Sequence, residues 1–505
     1  MKIAYFLDTS VGLGGAGNVL LEQARLMSRI HDVVVIIPCD RAGQINPEYM
    51  RRCKLARIRY TGIAYSTAHE LQYIDLIYAW EIMDEIKRMA LREKVDFFHS
   101  VQLNPAVEFV SRDLGIPHLM NVYQVRQEEF MFARMDIFPQ YHSCDSHLYC
   151  QIWGRNLGIE TRCIRPSAPL EDIRRKNRER SGTLRILMLG GVWRHKNQML
   201  AIRAVELCNQ MGINLTLKIA GDDTSQYAVV CKEYVKKNNL EKFVDIIGFQ
   251  SDVVPLLEES DCYLCTSMNE SFPSSIVESM TYDLTIISTP VAGVPELLKD
   301  GVNAYVSKGY DVQDIVACIL KCSSAYKNGQ IEKVHKRAAA LWKENFSQGI
   351  VRRQLEKYYR YIANDFQKNI KTVRGNQVSE KDVKKVYQRL YDKTDADSFT
   401  CSRCYYYACL ENILKPGRAY IWGAGDFGRR AKKILETCFP WIDILAYIDA
   451  KKQGEYQGKQ IISPESAKLR SVDYIFISFV EGKEEVIFFL EENGLHYNRQ
   501  ICILP

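Results

Sequence analysis

The strongest constraint in this sequence is a repeated alternation: short apolar runs of strand length, each followed by an amphipathic stretch of helical length. "KIAYFL", "DVVVIIP", "VDFFHSV" and "PHLMNVY" read as buried strands, and "NVLLEQARLMSRI" and "AVEFVSRDL" between them carry apolar residues at helical spacing. Strands that alternate with helices in this way predict α/β architecture with parallel sheets. A chain of 505 residues is too long for one such core, so two or three domains are expected.

The pattern divides the chain. The first unit, residues 1–175, fades into the charge run "LEDIRRKNRERSGT", which reads as an exposed linker. A second, 183–345, opens at "LRILMLGG" and contains the strand-like runs "LTLKIAG", "FVDIIGF", "DCYLCTS", "LTIIST" and "NAYVS". Residues 330–368 read as one continuous helix, and 369–415 as a polar helical connector. The last unit, 416–505, is a small α/β module that opens with "RAYIWGAGDFGRRAKKILETC".

Composition excludes several roles. A net charge of +6, spread over this length, gives no argument for nucleic acid as a partner. No segment approaches the ~20 apolar residues of a spanning helix, and "MKIAYFLDTS" lacks the apolar region and cleavage site of a signal peptide. The sixteen cysteines are scattered, many in apolar runs, and read as buried hydrophobes of a reducing compartment. The expected location is cytoplasmic. The segment "MRRCKLARIRY" could face an anionic membrane, but its basic–apolar alternation favours a plain half-exposed strand.

The candidate chemistry lies at strand ends. "NESFPSSIVESM" carries Glu270 and Glu278 around a Phe-Pro-Ser-Ser turn. Ser275 and Glu278 match a capping box, while Glu270 follows a strand at the sheet edge where open α/β folds bind ligands. The backbone amides of Phe272, Ser274 and Ser275 are expected at a helix N-terminus, which suits a phosphate. In "LGGVWRHKNQML", a strand ends in Gly190-Gly191, and Arg194 and Lys196 follow as cations for phosphate, or simply as members of a solvated loop. Backbone groups at Gly248-Phe249 could meet a nucleobase. Two carboxylates bracketing an anion site have the character of a sugar-nucleotide site, with hydroxyls at both ends and a diphosphate between.

With these residues in view, the stretch from about 184 to 308 resembles the nucleotide-binding half of retaining glycosyltransferases of family 4, which have the GT-B fold of two Rossmann-like domains facing a cleft. "GGVWRHKNQ", "IAGDD", "VDIIGFQSDVVPLLEESDCYLCTS", "NESFPSSIVESM" and "PVAGVPELLKDGVNAYV" carry the likeness, in the family's order and spacing. The resemblance implies that Glu270 faces the transferred sugar, that Glu278 binds the nucleotide ribose and that Lys196 contacts the diphosphate. It implies a UDP-, GDP- or ADP-sugar as donor, a glycan or lipid-linked acceptor, retention, no required metal or other cofactor, and a role in bacterial surface polysaccharide synthesis. It leaves room for peripheral contact with the inner face of the membrane. Residues 346–368 would form the helix that crosses back to the first domain. "TSVGLGGAGNVL" looks like the family's glycine-rich loop, where Gly14 and Gly15 would let backbone approach the donor phosphate or the acceptor.

Two positions depart from that pattern. Gly191 stands where members commonly have Arg, and Tyr123 where many have His, leaving His99 as the remaining candidate catalytic histidine at that edge. A GT-B partner subunit that binds glycan with little catalysis is therefore the second reading. In the last module, Gly423, Gly425 and Gly428 form G-x-G-x-x-G, and Asp449 stands at about the place of a ribose-binding acid. This predicts a Rossmann-like fold that takes a nucleotide or serves as an interaction module, and it supplies a third reading, a nucleotide-dependent sugar oxidoreductase. Cys401, Cys404 and Cys409 lack the second pair that a zinc site usually needs.

Overall fold

A run such as "DVVVIIP" avoids water on both faces only inside a parallel sheet covered by helices, and this is how the chain folds. The computed structural model describes residues 1–8, 15–67, 73–123, 141–157, 160–174, 182–268, 270–373, 379–391, 414–479, 482–495 and 500–503. These fall into two compact units that divide after Tyr391. No described helix is long and apolar enough to cross a membrane.

The first unit contains two parallel sheets. One has seven strands, β1 (Lys2–Phe6), β2 (Asp32–Pro38), β3 (Arg59–Ile63), β4 (Phe97–Val101), β5 (His118–Asn121), β6 (Tyr141–Cys144) and β7 (Glu160–Cys163), in the order β3-β2-β1-β4-β5-β6-β7. The other has six, β8 (Leu184–Leu189), β9 (Leu215–Ala220), β10 (Val244–Gly248), β11 (Cys262–Cys265), β12 (Thr285–Ser288) and β13 (Tyr305–Val306), in the order β10-β9-β8-β11-β12-β13. In both sheets the strand order reverses beside the first strand, which opens a crevice at the carboxyl ends.

Two sequence expectations are corrected here. The helix expected over 330–368 is broken into Ile331–Asn345 and Gln348–Val373. The Phe346 carbonyl accepts from the Ala168 amide at 2.8 Å, and the Gln348 side chain donates to the Ala168 and Pro169 carbonyls. The two chain crossings between the domains therefore lie side by side. "MRRCKLARIRY" is a helix end, a turn and a strand: Asn46 caps the helix Pro47–Leu55, with Pro47 in its first turn.

Helix Gln348–Val373 returns to the first domain. Val351, Leu355, Tyr358, Tyr359, Ile362 and Phe366 recur at helical spacing and are buried in that domain's core. The Tyr359 hydroxyl pairs with the Tyr5 hydroxyl at 2.7 Å and with His99 Nδ1 at 2.6 Å, and Tyr358 donates to the His142 carbonyl at 3.1 Å.

The second unit is built on a six-stranded sheet of β14 (Gly417–Trp422), β15 (Ile442–Ile448), β16 (Gly454–Tyr456), β17 (Lys459–Ile462), β18 (Tyr474–Ile477) and β19 (Ile501–Ile503), in the order β16-β17-β15-β14-β18-β19. All its neighbours are parallel except the β16–β17 hairpin. Cys401, Cys404 and Cys409 lie outside the described residues.

The buried histidines give a pH test. Burial pulls the pKa of both His99 and His142 from the ordinary 6.5 down to about 3. As pH falls below 6.5 the unfolded chain takes up protons that the folded chain refuses. The stability is therefore present above pH 6.5 and is lost progressively toward pH 3, by up to roughly 1.4 kcal/mol per pH unit for each ring. Urea unfolding of the wild type and His99→Gln between pH 7 and 5 should show a shallower acid loss in the variant. Parallel curves would count against this account.

Candidate functional site

At the carboxyl edge of the second sheet, three strand ends approach one another backbone to backbone. A Cβ on Gly221 would stand 2.0 Å from the Gly190 carbonyl oxygen, so no other residue fits there. Gly190 (φ +130°) and Gly248 (φ +71°) adopt backbone angles that favour glycine. The Gly221 amide donates to the Gly248 carbonyl at 3.0 Å, and Val192 donates to the Asp222 carbonyl at 2.7 Å.

Beyond Gly191 a single turn of 3-10 helix, Arg194–Lys196, ends at Asn197 in the left-handed region. The Thr266 hydroxyl donates to the carbonyls of Lys196 and Asn197, and the Met268 amide donates to that of His195. These bonds from the loop after β11 set the Lys196 side chain against Glu270, and the two form an ion pair. Burial pulls the Lys196 pKa down, but the Glu270 carboxylate more than reverses this and leaves it raised. The Ser267 hydroxyl donates to the same Glu270 oxygen at 3.4 Å.

The helix Ser274–Thr281 follows, and Pro273 occupies its cap position. This corrects the capping-box reading. Ser275 lies inside the helix, and its hydroxyl oxygen accepts from Tyr263 at 2.6 Å. Glu278, one turn on, lines a cavity of about 1050 Å³ between the two domains, together with Ser274, Phe249, Gly190 and Gly191. Burial pushes the Glu278 carboxyl up, against the pull of Arg52. Phe249 is 59% exposed at this cavity. Phe272 is buried instead, its ring 5.4 Å from that of Phe346.

The remaining sequence candidates are placed elsewhere. The Arg194 guanidinium stacks over the Tyr227 ring at 4.8 Å and does not line the cavity. His99 is 0% exposed, in the first domain's core beside Tyr5 and Tyr359. Tyr123 is buried too, and its hydroxyl accepts from Asn121 at 2.9 Å. Gly15 begins the helix Gly15–Met27, and Gly14 lies outside the described residues. In the second unit, a Cβ on Gly428 would stand 1.9 Å from the Gly423 carbonyl oxygen. Gly425 caps the helix Asp426–Cys438. Asp449 accepts from the backbone amides of Ala424, Lys451 and Lys452 at 2.9–3.0 Å, so its carboxylate is bound to its own loops.

A seam of residues that sequence reasoning missed joins the domains. Glu296 accepts from the amides of His147 and Leu148 at 3.0 and 2.9 Å, at the start of the helix His147–Leu157. It also pairs with Arg165, which donates to the Asp145 carbonyl at 2.6 Å. The Ser146 and Ser271 hydroxyls meet at 3.0 Å. Glu296 stands in the quoted "GVPEL" run, but its partners are about 150 residues away, and no local pattern announces them.

Residues 170–338, about a third of the chain, match the family described as glycosyl transferases group 1. The amylovoran biosynthesis glycosyltransferase AmsK of Erwinia amylovora is 27% identical over 190 residues, 36% of this chain and 45% of that protein. The GPI3 subunit of phosphatidylinositol N-acetylglucosaminyltransferase from Saccharomyces cerevisiae is 23% identical over 171 residues, 34% and 37% of the two chains. The chain thus spans less than half the length of these curated relatives. Among solved structures, Anabaena Alr3699/HepE in complex with UDP-glucose superposes with a TM-score of 0.60 at 16% identity, covering 72% of this chain and 100% of that one. A glycosyltransferase from Rickettsia africae gives 0.58 at 16% identity, covering 72% and 98%. These likenesses establish the fold: the two-sheet unit is of the GT-B type, and a third, smaller α/β domain follows it.

The seam is open to a direct measurement. Burial pushes Asp145 up to about 7, with Ser271 and Arg165 working against it and Glu270 adding to it. The folded value lies above the ordinary 3.8, so this group's stabilising contribution is complete below pH 3.8 and is lost as pH rises through about 7. Asp145→Asn should therefore resist urea better than the wild type at pH 8, by on the order of a few kcal/mol in unfolding free energy, with a gap that shrinks toward pH 4. A gap independent of pH would refute the assignment.

Proposed function

We propose that this chain is a glycosyltransferase that moves a sugar from a nucleotide-sugar donor to a glycan or lipid-linked acceptor with retention, in bacterial surface polysaccharide synthesis. The observation that carries this reading is the Lys196–Glu270 pair set beside the helix start at Ser274, within the segment that matches glycosyl transferases group 1. The names of AmsK, a biosynthetic glycosyltransferase, and HepE, held with UDP-glucose, support the class of reaction and make a UDP-sugar the first donor to try.

On this reading the base lies toward Phe249 and the ribose hydroxyls toward Glu278. The diphosphate lies along Gly190, Gly191 and the Ser274 helix start, and the sugar faces Glu270. As the glycosidic bond breaks, negative charge grows on the diphosphate. In this proposal the Lys196 ammonium and the first amides of the helix stabilise that charge. Glu270 holds Lys196 in place and accepts from the sugar hydroxyls. We assign no double-displacement nucleophile, so the acceptor hydroxyl would attack on the face that the diphosphate leaves. The acceptor belongs to the first domain. We give His99 no catalytic part, because its ring is committed to Tyr359 inside the core. The role of the third domain, with a nucleotide or as an interaction module, stays a separate proposal.

Product formation from UDP-, GDP- and ADP-sugars, with the product anomer read by NMR, tests this function. Removing a group that stabilises developing charge costs about 2.7–4 kcal/mol, so Lys196→Ala should lose roughly 100-fold or more in kcat/KM, and Glu270→Ala, which releases that ammonium and a sugar contact, about as much. Glu278→Ala should act mainly through KM. Unchanged turnover in Glu270→Ala would sink the donor-site assignment.

A further inference from the structure

The charges around the interdomain cavity are divided unequally. Among the described residues its cationic lining is Arg25, Arg29 and Arg52, all from the first domain, whose one acidic contribution is Glu22. The second domain contributes two carboxylates, Asp222 and Glu278, and no cation. The side-chain charge of that wall does not attract phosphate, so its backbone amides need a cation from elsewhere.

The two cations beside the second domain's glycine strand end, Arg194 and Lys196, do not line this cavity. Lys196 is paired with Glu270, and Arg194 lies over Tyr227. A side chain at position 191 has no room, because a Cβ there would stand 2.7 Å from the Trp193 indole. Trp193 itself is 41% exposed and lines the cavity. Across from it, Arg52 is held in a fixed orientation: Nε donates to Glu48 at 2.9 Å and Nη1 to Asn18 at 2.9 Å. It is near enough to Glu278 to act on that carboxyl electrostatically.

We infer that Arg52, seconded by Arg25 and Arg29, is the phosphate-recognising group of this cleft, so that a nucleoside diphosphate is bound by charge from the first domain and by hydroxyl contacts from the second. The planar guanidinium suits two phosphate oxygens at once. The nucleoside part of this inference rests on the donor reading above; the phosphate part rests on the cavity alone. Binding in the ground state would then require both domains, while Lys196 serves the bond that breaks.

The test uses the full chain, isothermal calorimetry at low salt, and three probes: inorganic pyrophosphate, UDP and uridine, with GDP and ADP as further nucleotides. Arg52→Ala should weaken pyrophosphate and UDP by roughly 10- to 100-fold, as expected for one charged hydrogen-bond pair, and leave uridine unchanged. Arg52→Lys should recover part of the loss. Adding Gly191→Arg with Trp193→Ala to Arg52→Ala places a cation on the opposite wall and should restore pyrophosphate affinity, which a merely structural role for Arg52 would not produce. Pyrophosphate binding by Arg52→Ala equal to the wild type overturns the inference and leaves the donor reading standing. No binding of pyrophosphate by the wild type overturns it as well. Arg52-dependent pyrophosphate binding without affinity for any of the nucleotides upholds the phosphate site and removes the donor reading.

Discussion

The buried chain of hydrogen bonds from Tyr5 through the Tyr359 hydroxyl to His99 holds a helix of one domain inside the core of the other, and the cleft depends on it. Helix Gln348–Val373 leaves the second domain at the Phe346–Gln348 break and packs an apolar stripe beneath β1 and β4. A phenol and an imidazole in that interior would each cost several kcal/mol if left unpaired, so they fix the helix in register as well as in place. The other crossing, near Ala168, is hydrogen-bonded to the same break. Any opening of the cleft must pivot at this pair of crossings.

From that frame the second domain presents its strand ends as a rigid edge. Gly221, at the end of β9, is there because backbone meets backbone and leaves no room for a Cβ, while Gly190 and Gly248, at the ends of β8 and β10, hold backbone angles that favour glycine. Loop flexibility is thereby removed where a ligand would bind. Thr266 and Met268 then fasten the 3-10 turn that carries Lys196. The position of one ammonium thus derives from a β-sheet spacing, a glycine contact and three hydrogen bonds, each made before any ligand arrives.

What the sequence made legible follows the range of the interactions involved. Strand–helix alternation is local, so the parallel sheets and the edge at which the loop of Glu270 follows a strand could be read. The capping box failed because Pro273 already starts the helix and Ser275 finds Tyr263, a partner from another strand. The single helix over 330–368 failed because a carbonyl at Phe346 is taken by Ala168, far away in sequence. His99 looked like a site residue because it ends a strand, but the ring is claimed by a tyrosine 260 positions on. Asp449 sat at the expected register, yet nearby amides occupy its carboxylate. At the helix break and at His99 the deciding partner is far away in sequence, whereas at the capping box and at Asp449 the deciding groups, Pro273 and the Lys451 and Lys452 amides, stand close by in the chain.

The cations around the cleft are not waiting charges. Arg25 is paired with Glu22, Arg52 with Glu48, and Lys196 with Glu270. Each cation is therefore already satisfied, and a ligand gains only the difference between its own contacts and those it replaces. That difference favours a multivalent anion, because one diphosphate can displace or share several pairs at once while the released carboxylates turn to hydroxyl donors. A neutral ligand of the same shape would have to leave the pairs closed. The division of charge across the cleft also links binding to geometry, since phosphate can satisfy the arginines on one side and the helix-start amides on the other only when the two walls stand at the right separation. On the phosphate-site proposal, selectivity and the separation of the walls rest on the same division of charge.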